Sequence, residues 1–449
     1  MQHLVTLHKN KNLGDYRDTW LTSAVTASLA QRRQQVLGGT YRLFYDEPVE
    51  VASASGVWVT DVAGTRLLDA YNNVPVIGHS DPEVAAAVQA ELLRANSHTR
   101  YLDREVVDYA ERLLARFPAH LDRVAFTCSG SEANDLALQL ATHLTGRRGI
   151  IVTEHAYHGT TAAVRAVSPS LVTLAGVADY VVTVPIPRDG SDAERAQEFA
   201  AAVDRAVAEL CRRGLEPAAI LVDTALTSDG IFAPAAFVSE GIRRAQASGA
   251  LFIADEVQAG FCRTGQWWGF EHLDVAPDLV TLGKPMGNGL PIAAVVGPAA
   301  SFDSFGAEYR YFNTFAGTAA PIAAARVVLD RLGANDTPVR VNALGERLRS
   351  GFAQAATDAG VGALVRGAGL MVGVDFAVGG VSPSRAAEYV RELVNELRRR
   401  EVLVSHTGAH GEALKIRPPL VIDEAEIDEL IGRFAAALLA LPRLAGDAA

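Results

Sequence analysis

The segments FIADEVQAGFCRTG (252–265) and TLGKPMGNGLP (281–291) decide the fold. The first opens on an apolar run that stops at Asp255 and Glu256; the second continues a run, DLVTLG (278–283), that stops at Lys284. Short apolar runs without alternation read as strands buried on both faces, as in parallel sheets. Open α/β sheets collect their ligands at the C-terminal ends of such strands, so an acid and a lysine are offered to one site. A plain ion pair is the bland alternative. Pro285, Gly287, Asn288 and Gly289 make the segment after the lysine a loop with room for a bound molecule. It does not fit GxxxxGK[ST], because proline follows the lysine.

The same pattern extends to both sides. GIIVTE (149–154), VVTVPI (181–186), AILVDT (219–224) and AAVVG (293–297) read as further buried parallel strands. Helices are expected at 82–95, 103–116, 131–145, 193–213 and 237–248, which gives an α/β core. Beyond about residue 330 long helices (318–332, 335–358, 382–400, 423–441) alternate with short strands. They suggest a smaller α+β domain that also recruits the N-terminal segment. That segment starts polar, then reads as a helix over 19–37 with Asp18 or Thr19 as cap and Gly38-Gly39 as stop. Strands at 49–56 and 57–64 follow. The expected division is 1–65 (N-terminal part of the small domain), 66–329 (large domain) and 330–449 (C-terminal small domain).

Composition sets outer limits. The 449 residues are 49 % hydrophobic and 21 % charged, ordinary for a globular enzyme. A net charge of −11 opposes nucleic acid and anionic membranes as partners. Cys128, Cys211 and Cys262 form no CxxC pair, which argues against a disulfide framework or zinc and for a reducing cytoplasm. No signal peptide is read in MQHLVTLHKN, and no run of about 18 apolar residues marks a membrane helix.

Two more motifs carry chemistry. In FTCSGSEANDLALQLA (126–141) a strand end, a Ser-Gly-Ser turn and a helix follow one another. Unpaired amides at a helix N-terminus bind phosphate, and Ser129, Gly130 and Ser131 would supply amides and hydroxyls. The bland reading is a capping box, with Ser129 or Ser131 paired to Glu132. In EHAYHG (154–159) Tyr157 is placed to stack on a ring, or simply to pack. His155 and His158 have no third ligand in the sequence frame, so no metal is expected. A pyridoxal-phosphate enzyme needs this collection: a lysine to hold the aldehyde as an imine and then act as base, and a carboxylate to keep the ring nitrogen protonated.

SGSEAN, AYHG, DEVQ-GF-RTG, GK-MGNG-P and KIRPPL, in this order from about residue 40 to 440, resemble the class III aminotransferases, pyridoxal-phosphate enzymes of fold type I. The resemblance implies a mostly parallel seven-stranded sheet in the large domain, with Lys284 as the imine lysine and Asp255 as the pyridine partner. Val257 and Tyr157 would flank the ring and Gln258 would bond its phenolic oxygen. Gly130 and Ser131 would hold the phosphate, with Ser129 and His158 also among the cofactor-binding residues. Thr314, in YFNTFAG (311–317), would reach the neighbouring subunit's phosphate, which implies a homodimer with shared active sites.

Two departures point away from ordinary amino transfer. The family's carboxylate-binding arginine is replaced by Lys415, with Arg417 two residues on, and lysine lacks the planar fork that grips a carboxylate. The usual EPxQG segment is replaced by Asp223-Thr224-Ala225-Leu226-Thr227-Ser228, so the acid that partners that arginine is expected to be absent. YRLFYDEPVEVASASG (41–56), DAYNNVPVIGHSDPEV (69–84), NSHTRYLDREVVDYAERL (96–113), SGSEANDLALQLATHLTG (129–146) and EYRYFNTFAG (308–317) resemble the ethanolamine-phosphate and 5-phosphohydroxylysine phospho-lyases within the family. The implied reaction is elimination of phosphate from a small phosphorylated amine, with ω-amino transfer to a keto acid as the alternative. Tyr45, Arg42, Arg100, Lys415 and Arg417 are the substrate-side candidates.

Overall fold

A computed structural model describes residues 24–171, 176–334 and 336–444, with side chains from residue 29. The chain divides into two compact units, Met1–Glu50 and Val51–Ala449. In the first, the helix Ala24–Leu37 ends where Gly38–Thr40 tightens into a 3-10 turn, at the expected glycine stop. Its expected cap, Asp18 or Thr19, lies outside the described residues.

The second unit is built on a seven-stranded sheet. In spatial order its strands are Arg123–Thr127, Ala293–Gly297, Leu279–Leu282, Leu251–Asp255, Pro217–Asp223, Gly149–Thr153 and Val181–Val184. Every residue of Gly149–Thr153, Pro217–Asp223 and Leu279–Leu282 is buried, as the unalternating apolar runs require. One orientation departs from expectation. Ala293–Gly297 runs antiparallel to both neighbours, because the turn after Lys284 brings the chain straight back instead of crossing over. A run buried on both faces reads alike in either direction.

The helix Gly130–Thr145 covers this sheet, burying Ala133, Leu136, Ala137, Leu140 and Ala141 on it. Ser129 caps its start and Gly146, at φ 66°, ends it. The helices expected beyond residue 80 recur with every end within two residues of its expected place, and two short ones, Ala162–Ala166 and Ala299–Glu308, were not anticipated. Two four-stranded sheets complete the unit. In one, Val402–Leu403 adds in parallel to Arg66–Asp69, joining C-terminal chain to strands near residue 60. In the other, Ala413–Ile416 lies between Met371–Asp375 and Ser405–Thr407 and carries Lys415. No helix among the described residues is long and apolar enough to cross a membrane.

Candidate active site

Three strand ends lie side by side at the C-terminal edge of the large sheet: Asp223 pairs with Asp255, and Asp255 with Thr281. Asp255 is only 4 % exposed, and a carboxylate so placed needs partners. Its Oδ2 accepts from Asn134 Nδ2 at 3.0 Å and bonds His158 Nδ1 at 2.7 Å; its Oδ1 accepts from the Val257 N–H at 3.0 Å. Asn134 also donates to the His158 carbonyl at 2.8 Å and accepts from Thr281 Oγ1 at 2.7 Å. One side chain thus ties together the acid, its histidine and the next strand.

Lys284 enters a cavity lined also by Gly130, Ser131, Tyr157, His158, Asp255, Val257 and Gln258, all expected at the cofactor. Burial holds its amine below the ordinary lysine range, against the opposing pull of Asp255 and with the added push of Arg417. Its backbone stands at φ 24°, a conformation non-glycine residues rarely adopt. The turn beyond it is pinned by Asn288, whose side chain accepts from the Ile77 N–H and donates to the Gly78 carbonyl. Gly287 leaves no space for a ligand: a Cβ there would stand 2.7 Å from Ile292 Cγ2. Its role is packing, which corrects that part of the loop reading.

Glycine is required where the helix N-terminus meets Val257. A Cβ on Gly130 would lie 2.8 Å from Val257 Cγ1. Ser129 caps the helix by accepting from the Glu132 N–H at 3.2 Å, while the Glu132 carboxylate takes the Cys128 N–H and Asn313 Nδ2. The reciprocal capping box is therefore not formed, and Ser129 is not among the residues lining the cavity. Ser131 Oγ accepts from the Thr160 N–H at 3.1 Å, bringing the loop after Tyr157 against the helix start.

Gln258 is held at both ends of its amide. Oε1 accepts from Arg417 Nη1 at 2.5 Å, and Nε2 donates to Thr227 Oγ1. Arg417 is 5 % exposed and lies over the Tyr71 ring, 4.9 Å from its centroid. Lys415 Nζ donates to the Thr227 carbonyl at 3.2 Å; burial, then Arg417, drives its amine well below the lysine range. The acid expected to be missing is present: Asp223 faces Lys284, Lys415 and Arg417 electrostatically. It accepts from Thr227 Oγ1 and from the Ala225 and Thr227 N–H groups, so its own turn occupies it. Burial, then the Asp255 charge, raises its pKa above the aspartate range.

Thr314 is exposed in the 309–317 loop, and Arg100, also exposed, stacks on Phe312 of that loop, 3.7 Å from the ring centroid. Neither lines the Lys284 cavity of its own chain. Arg42 and Tyr45 belong to the Met1–Glu50 unit, where Arg42 is exposed and Tyr45 packs edge-on to Phe44. Asn134, Thr227 and Asp223 were not singled out as site residues. Asn134 carried a signal, since it lies four residues after Gly130 and so faces the same way. Thr227 and Asp223 sit in a polar stretch just past a buried strand.

The donor set fits pyridoxal phosphate. Lys284 offers an amine held below its usual pKa, Asp255 a fixed buried carboxylate, Gly130 and Ser131 a helix N-terminus. Tyr157 and Val257 offer apolar surface on the same cavity. No cluster of three or more His, Cys, Asp or Glu able to hold a metal occurs among the described residues.

Comparison with known proteins agrees. The family profile Aminotransferase class-III matches residues 44–438. An alanine–glyoxylate aminotransferase 2-like protein of Drosophila melanogaster is 32 % identical over 91 % of this chain and 86 % of its own. An ethanolamine-phosphate phospho-lyase homologue of Caenorhabditis elegans is 30 % identical over 90 % of this chain and 91 % of its own. Among solved structures, a phospholyase from Arthrobacter in complex with phosphoethanolamine superposes with a TM-score of 0.87. It is 40 % identical, over 92 % of this chain and all of that one.

Proposed function

We propose that this chain, which belongs to the class III aminotransferase family and uses pyridoxal phosphate, is a phospho-lyase acting on a small phosphorylated amine such as phosphoethanolamine. The observation that carries the reading is the pair Lys415 and Arg417 beside the Lys284 cavity, with Asp223 turned into its own loop. Two basic side chains whose nearest acid is occupied suit a dianionic phosphate better than an amino-acid carboxylate, because the arriving negative charge draws a proton back onto Lys415. The likeness to a phosphoethanolamine-bound phospholyase supports the same substrate class.

Pyridoxal phosphate supplies an aldehyde that joins an amine covalently and a ring that accepts electron density. The chain's residues do the rest. Asp255, fixed by Asn134 and His158, holds a proton at the ring nitrogen. Lys284, whose amine burial holds below the ordinary lysine range, takes the proton from the amine-bearing carbon. Lys415 and Arg417 hold the phosphate as its C–O bond breaks. With water, phosphoethanolamine gives acetaldehyde, ammonia and phosphate. Thr314 completes the phosphate site of a second copy's cofactor in a homodimer.

The test is discrimination. Lys415→Gln is expected to raise KM for phosphoethanolamine at least about tenfold, the worth of one charged contact, and to leave KM for unphosphorylated amines near the parent value. Free phosphate should inhibit the parent competitively and Lys415→Gln less. Equal effects on both amines would remove Lys415 from the phosphate. Amino transfer to a keto acid is the second reading, favoured by the 32 % identity to an acetylornithine aminotransferase of Listeria monocytogenes over 87 % of this chain and 94 % of its own.

A further inference from the structure

Thr227 stands at a junction that the reading above does not use. It is fully buried in the loop after Pro217–Asp223. Its hydroxyl accepts from Gln258 Nε2 and donates to Asp223 Oδ2; its N–H also donates to Asp223, at 3.0 Å. Its carbonyl accepts from Lys415 Nζ at 3.2 Å and Thr407 Oγ1 at 2.5 Å. A chain of hydrogen bonds therefore runs one way, from the Arg417 cation through the Gln258 amide and the Thr227 hydroxyl to Asp223.

The direction fixes the Gln258 amide. Arg417 has only donors, so the amide oxygen faces it; a flipped amide would set donor against donor. Thr227 then takes one of the two N–H bonds, and Asn73 Nδ2 anchors the Gln258 backbone carbonyl at 2.8 Å. One N–H is left, on a side chain that lines the same cavity as Lys284 and Asp255. A cation on the amide oxygen draws charge from the nitrogen and strengthens that remaining donor.

We propose that Thr227 is a positioning residue: it orients Gln258 so that its remaining N–H, strengthened by Arg417, donates to the phenolic oxygen of the cofactor. The proposal rests on the assignment of this cavity to pyridoxal phosphate bound at Lys284. The phenolic oxygen shares a proton with the lysine-bound nitrogen, and a donor on that oxygen eases the proton's loss. Weakening the donor raises the pH at which the bound cofactor's visible band converts. The charged and titratable groups facing Gln258 are Asp223, Asp255, Lys284, Lys415 and Arg417, with Tyr157 and His158 on the same cavity. Replacing Thr227 removes none of them.

The experiment is a spectrophotometric pH titration of holoenzyme for the parent, Thr227→Val, Thr227→Ala and Thr227→Ser. Both variants lacking the hydroxyl should raise the midpoint by roughly one pH unit, about one hydrogen bond to a charged oxygen. Thr227→Ser should return it to the parent value. Alanine stands in if the valine variant fails to fold. Unchanged midpoints in the variants lacking the hydroxyl overturn the proposal, as does a serine variant that shifts as far as they do. A parent with no visible lysine-bound cofactor band overturns the cavity assignment itself, a distinct outcome.

Discussion

Asn134→Asp puts the geometry around Asp255 to a quantitative test. Asn134 Nδ2 stands 3.0 Å from Asp255 Oδ2, inside a site where both residues are at most 4 % exposed. The substitution keeps the shape and replaces a donor with a second carboxylate. Two charges about 3 Å apart repel by about 5 kcal/mol at an effective dielectric of about 20. That equals on the order of four pH units, of which relaxation leaves about three. The pair then shares one proton up to about pH 7. The sign follows from a raised folded-state pKa. The variant's stability relative to the parent is fully present below about pH 4 and is lost as pH rises through the raised value. The loss is at most about 1.4 kcal/mol per pH unit, and for a chain of this length about 1 kcal/mol lowers Tm by about 1 °C. Melting curves of cofactor-free protein at several pH values from 5 to 9 should show the gap from the parent widening by about 3 °C or more. Asn134→Ala, which leaves the Thr281 hydroxyl and the His158 carbonyl without this partner, should be destabilised by about 3 kcal/mol with a flat gap. Turnover of Asn134→Asp should fall about 100-fold, because the shared proton weakens the charge offered to the ring nitrogen. A gap that does not change with pH would refute the contact between the two side chains.

Other consequences are as direct. Gly130→Ala pushes a methyl onto Val257 and should weaken cofactor affinity about tenfold in equilibrium titration, with Val257→Ala restoring most of it. Asp255→Asn should keep the cofactor but lose most of kcat; near-parent turnover would remove Asp255 from its role. Mixing Lys284→Ala with Thr314→Ala should regain activity, because one site of the mixed dimer carries both lesions and the other neither. Mixtures as inactive as Lys284→Ala alone would contradict the shared site.

The strand ends were legible because burial on both faces leaves an unmistakable apolar run, and Asp255 and Lys284 interrupt two of them. The helix expected at 131–145 was legible from the Ser-Gly-Ser turn and Glu132 at its start. The reversal of Ala293–Gly297 was not, since apolar composition carries no direction. The site around Gln258 was only half legible. Arg417 and Lys415 stood out as charges, but Thr227, whose carbonyl takes Lys415 and whose hydroxyl reaches Arg417 only through Gln258, lies 188 residues before Lys415, and an uncharged residue in a loop gives no pattern. Asp223 was misjudged for a related reason: the acid survives at a strand end without the motif that usually follows it. Thr314 and Arg100 are exposed and do not line the Lys284 cavity of their own chain.

The central claim is elimination rather than transfer, and product stoichiometry tests it most directly. Holoenzyme is incubated with phosphoethanolamine and no keto acid, and phosphate, ammonia and acetaldehyde are measured over many turnovers. All three are expected in equal amounts, at a rate that added pyruvate does not increase. No phosphate release, together with efficient movement of amino groups from simple amines to pyruvate, would contradict it.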